Sequence, residues 1–104
     1  MRMILLGCYS PHAMKGLIGG SDREAAVKAL LGTVGGTLVS LMFTRGEFDV
    51  AVTVDVPDQA AGVGLAMAIQ ASGAFSRTSV LTELDMAPVL AAAQKALKVY
   101  TPAG

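Results

Sequence analysis

The chain has 104 residues, 53% of them apolar and only 15% charged, with 8 basic side chains against 8 acidic ones. So much apolar surface excludes intrinsic disorder. Net neutrality, with 2 Tyr, 3 Phe and no Trp, excludes an electrostatic footprint for nucleic acid or an anionic membrane. A chain of this length is expected to fold as one domain, here over residues 1–99 with residues 100–104 as a tail.

Met3 to Tyr9 is a continuous apolar run closed by Ser10-Pro11, which suits a strand covered on both faces. Leu5-Leu6-Gly7-Cys8 has the look of a lipoprotein cleavage box, but only Met3 and Ile4 separate it from Arg2. That is far short of the ~7–15 residues of a signal-peptide apolar core. Cys8 is therefore read as a core residue. Ser10 and Pro11 start a helix as cap and first residue, with Met14, Leu17 and Ile18 at helical spacing before Gly19-Gly20. Ser21-Asp22-Arg23-Glu24 has the form of a capping box with Ser21 as the cap. Val27, Leu30, Leu31 and Val34 follow along one helix face, and Gly35-Gly36 ends it.

Leu38 to Arg45 reads as the second strand, Gly46-Glu47 as a tight turn, and Phe48 to Val56 as the third strand. Phe48, Val50, Val52, Val54 and Val56 alternate with Asp49, Ala51, Thr53 and Asp55, so one face is apolar. Pro57-Asp58 opens a helix that runs to about Ser72. Gly73 closes it, and Phe75 to Leu84 is the fourth strand. Asp85 caps a last helix, with Met86, Leu90, Ala93 and Leu97 inward and Gln94, Lys95 and Lys98 outward. The longest other apolar stretch, Ala60 to Ile69, is half the ~20 residues of a membrane span.

Two βαβ halves around a central hairpin make the ferredoxin-like arrangement, an α+β fold with helices on one face of an antiparallel sheet in the order 4-1-3-2. The chain also resembles the GYD domain family, small bacterial and archaeal proteins named for a Gly-x-Tyr-Asp hairpin. Here the motif stands as Gly46-Glu47-Phe48-Asp49, with Phe in place of Tyr. Tyr9-Ser10, Ser21, Arg23, Gly35-Gly36, Gly73 and Arg77-Thr78 carry the rest of the likeness, over about residues 3 to 97. The resemblance implies a fold of the dimeric α/β-barrel type and no particular reaction.

Little here carries chemistry. One His and one Cys give no metal-ligand spacing, and no cofactor is expected. Gly32-x-x-Gly35-Gly36 follows a helix rather than preceding one, so it is a cap and not a phosphate loop. Gly62-x-Gly64 lies inside a helix and suits close packing. The strand order gathers Tyr9, His12, Arg45, Glu47, Phe48, Asp49 and Arg77 at one end of the sheet, and these are the candidate ligand-binding residues. Asp49 is expected to pair with Arg77, or else with Arg45. Three functions fit this pattern. The first is a small homo-oligomeric binding protein with a small-molecule ligand. The second is a cofactor-independent enzyme using His12 and Asp49 as acid and base. The third is an amino-acid-sensing module like the effector half of Lrp-type regulators. The apolar helix from Asp58 and the doubly apolar first strand predict self-association, as a homodimer or a larger ring. A single Cys suits a reducing cytosol, so a cytoplasmic location is expected.

Overall fold

The structure is a computed structural model and describes residues 1–103. Four strands form one antiparallel sheet: β1 (Arg2–Tyr9), β2 (Thr37–Phe43), β3 (Val50–Asp55) and β4 (Phe75–Thr82). Their order is β2-β3-β1-β4, as the two interlocked βαβ halves require. Four helices accompany them: α1 (Pro11–Ile18), α2 (Arg23–Gly32), α3 (Gln59–Ala71) and α4 (Met86–Val99).

The valine alternation sets the layers. Val50, Val52, Val54 and Val56 are all buried, and β1 buries Met3, Leu5 and Tyr9 on the same side. Register enforces the match, because Leu5 lies opposite Val52 on β3 and Val80 on β4. Leu31 of α2 and Leu65 of α3 close this core from above. The other face of β1 carries Ile4, Leu6 and Cys8, which are only partly buried, and among the described residues no helix packs closely over it.

Each helix start follows local chemistry. Ser10 accepts from the Ala13 amide, Asp58 from Ala61 and Asp85 from Ala87. These side chains satisfy backbone donors that a helix leaves unpaired. At α2 the cap is Asp22, whose Oδ1 accepts from the Ala25 amide at 3.0 Å. The capping box expected on Ser21 does not form: Asp22 caps the helix alone, and Ala25 stands where a box would need Glu or Gln. Gly62 packs on Met1, Val56 and Met3 as its spacing suggested, whereas Gly64 faces open space.

Three further expectations are corrected. The β2–β3 connection spans residues 44–49 and is not a two-residue turn; Gly46 within it has φ +138°. Phe48 therefore lies before β3 and off its apolar face. Ile18 is 80% exposed, so the α1 stripe ends at Leu17. The largest correction concerns α4. None of its 14 residues is buried, and Leu90 and Leu97 are exposed rather than inward. The radius of gyration is 17.5 Å, against about 13 Å for a compact chain of this size. Helix α4 stands off the body, with no residue of its own buried.

Candidate functional site

Helix α2 lies over β2 and α3 over β4, which leaves a cleft between them above β1 and β3. The cleft deepens into a cavity of about 210 Å³. Its floor is Met3, Leu5, Val50, Val52 and Val54, and its helical walls are Val27, Leu30, Leu65 and Ile69. Ala26 and Ala68 stand at the cleft, and their short side chains leave it open. The rings of Tyr9 and Phe75 stack at 5.0 Å and wall one end. Gly7 makes that stack possible, since a Cβ there would overlap the Phe75 ring.

Arg23, Ser72 and the Tyr9 phenol bring polarity to this apolar space. Arg23 and Ser72 also line an outer depression with His12, Ser21 and Gly73. Because Asp22 takes the helix cap, the Ser21 hydroxyl is free of that duty. Its Oγ is buried without a hydrogen-bond partner, and so is Nε of Arg23. Burial pushes the Tyr9 phenol up from its ordinary pKa; Arg23 opposes that shift and Asp49 reinforces it. Tyr9 thus stays neutral while it feels a nearby guanidinium.

The expected site residues fall into two groups. Tyr9 lines the cavity and His12 lies exposed at its outer depression. The others gather at the same end of the sheet but largely on its uncovered face. There Arg77 donates to the Glu47 carbonyl at 3.0 Å, approaches the Glu47 carboxylate at 3.7 Å and lies 4.9 Å over the Phe48 ring. Cys8 donates to the same Glu47 carbonyl. Arg45 is exposed and joins neither group.

Asp49 does not pair with Arg77 or Arg45. Its Oδ2 accepts from the Tyr9 amide at 2.9 Å, and its own amide donates to the Gly7 carbonyl at 2.8 Å. The β1–β3 ladder ends at Gly7 and Val50, so the carboxylate supplies an acceptor where the backbone turns away. Arg77, beside Cys8 in the β1–β4 register, projects onto the uncovered face and meets Glu47 instead. Asp49 is thereby engaged structurally, bonded to the β1 backbone. The residues that reasoning from the sequence left out of the site are Arg23 and Ser21. The available signal was spacing: Arg23 precedes Val27 by four positions, placing a cation in line with the apolar stripe of α2.

Among the described residues no group of three or more His, Cys, Asp or Glu could hold a metal ion, and no helix is long and apolar enough to cross a membrane. The sheet order and the single helical layer define a ferredoxin-like α+β domain with an amphipathic cavity between sheet and helices. The sequence matches the GYD domain family over residues 3–93, and the chain belongs to that family. No curated protein matches it in sequence.

Proposed function

We propose that this chain is a small, self-associating cytoplasmic protein that binds a small molecule with an apolar body in the cavity between the sheet and helices α2 and α3. The cavity itself carries the reading. Between α2 and α3 a concave space of about 210 Å³ opens onto the core valines. Mostly apolar linings with a few placed polar groups are the usual form of ligand sites. The free thiol of Cys8 fits a reducing compartment. The test is native mass spectrometry of the freshly purified protein alongside Ala68→Phe, which puts a ring into the cleft. A noncovalent small-molecule adduct on the wild type, reduced in the variant, is expected. An adduct of equal occupancy on both would place the ligand elsewhere, and no adduct, with no melting shift from apolar organic acids or alcohols, would overturn the reading.

Self-association has its own support. The uncovered sheet face presents Ile4, Leu6, Ala51, Met42 and Leu81, the last two 61% and 50% exposed. Helix α4 presents Met86, Leu90 and Leu97, 48%, 51% and 78% exposed, and among the described residues none of its side chains is buried. An isolated helix of 14 residues is marginal in water, so a second copy of the chain is the occupant that covers both surfaces. Light scattering should give a dimer or larger at micromolar concentration, and a smaller mass for Leu90→Glu/Leu97→Glu. A wild-type monomer would refute this part.

A further inference from the structure

We propose that the cavity selects a monocarboxylate with an apolar body, its carboxylate held by Arg23; this rests on the reading of the cavity as a ligand site. The cavity lining contains one cation, Arg23, and no acidic side chain. Among the described residues no ion pair engages Arg23, and its Nε is buried without an acceptor. A buried donor left unpaired is destabilising, and more so when it is charged. The Ser21 hydroxyl, also buried and unpartnered, lines the same outer depression. Two residues with orphaned donors therefore line the depression outside an apolar cavity, and one of them, Arg23, lines the cavity as well.

A carboxylate supplies what they lack. It has two acceptor oxygens in one plane, and a guanidinium can bind both at once through Nε and a terminal nitrogen. The ligand's apolar part then runs inward over Val50, Val52 and Leu65, beside the Tyr9–Phe75 stack. Size bounds it as well. A dry cavity of about 150 Å³ accommodates a benzene ring, so about 210 Å³ accommodates a ring with a short acidic arm. Charge narrows the class further. One cation matches one carboxylate, which disfavours dicarboxylates. An α-amino acid would bring an ammonium group to a lining without an acid, and Asp49 is already committed to the Tyr9 amide. This separates the proposal from amino-acid sensing.

Calorimetric titration of the full chain with 3-phenylpropionate, 3-phenylpropionamide and phenylalanine tests it. The carboxylate should bind at least ~10-fold more tightly than the amide, since charge-assisted bonds are roughly twice as strong as neutral ones. Arg23→Gln should erase that ratio, and Arg23→Lys should keep part of it as a point charge. Circular dichroism establishes that each variant is folded; if Arg23→Gln is not, the wild-type ratio and Arg23→Lys still decide. Equal binding of carboxylate and amide overturns the ligand class and leaves the cavity reading standing. A preference that survives in folded Arg23→Gln removes Arg23 as the anchor and overturns the proposal. Tighter binding of phenylalanine than of 3-phenylpropionate overturns it in favour of amino acids. If none of the three binds, the proposal is overturned, and the cavity reading is then decided by the adduct on the freshly purified protein.

Discussion

Replacing Asp49 separates a backbone clamp from an ion pair. Its carboxylate accepts from the Tyr9 amide at 2.9 Å in a partly buried setting. Alanine would leave that amide without an acceptor, at a cost of about 1–3 kcal/mol. Asparagine keeps a carbonyl oxygen in place of the carboxylate oxygen. It would exchange a charged hydrogen bond for a neutral one, a loss of about 1 kcal/mol. An ion pair with an arginine would behave differently: asparagine would strand the cation and cost about 3–5 kcal/mol if buried. The ordering is therefore the diagnostic quantity, with wild type most stable, Asp49→Asn next and Asp49→Ala least. For a domain of this size 1 kcal/mol moves the melting temperature by about 4–8 °C, so the two variants are resolvable. Urea unfolding at one fixed protein concentration should shift the midpoint at constant slope. An asparagine variant as unstable as alanine, or an alanine variant equal to wild type, would refute the clamp.

Val52 is 6% exposed on the floor of the core, and Val52→Asp would bury a carboxylate among apolar side chains, costing several kcal/mol; an unchanged melting temperature would mean the sheet faces are inverted. Gly7→Ala pushes a methyl group into the Phe75 ring, and overpacking of this kind costs about 1–3 kcal/mol. Its melting temperature should fall, and wild-type stability would show that the ring moves freely. The hydrogen bond from Arg2, together with its charge, holds the Asp55 carboxyl below its ordinary pKa. A depressed carboxyl gives stability that is present above its unfolded pKa of about 3.9 and is lost as pH falls through the folded value. Both side chains are about half exposed, so the contribution is small. Asp55→Asn should flatten the acid limb of melting temperature against pH, and an unaltered limb would show that the pair contributes nothing.

Local physical chemistry is written in the sequence here. The alternation from Val50 to Val56 determines which face of β3 is buried, because successive side chains on a strand must point to opposite sides. Ser10-Pro11, Asp58 and Asp85 start their helices at the residues where a side-chain acceptor first becomes available. The sheet order follows from the succession of elements, since two βαβ halves interlock in few ways. What the tertiary structure alone decided depends on distances between segments. Amphipathic spacing puts Leu90 and Leu97 on one face of α4, but spacing cannot say whether the rest of the chain covers that face, and among the described residues both stay exposed. Charge complementarity suggested Asp49 with Arg77. Strand register sent Arg77 to the uncovered face and left Asp49 beside the Tyr9 amide. The cavity too is a tertiary property: it exists because α2 and α3 settle over different strands, and only that separation makes Arg23 the one cation on its wall.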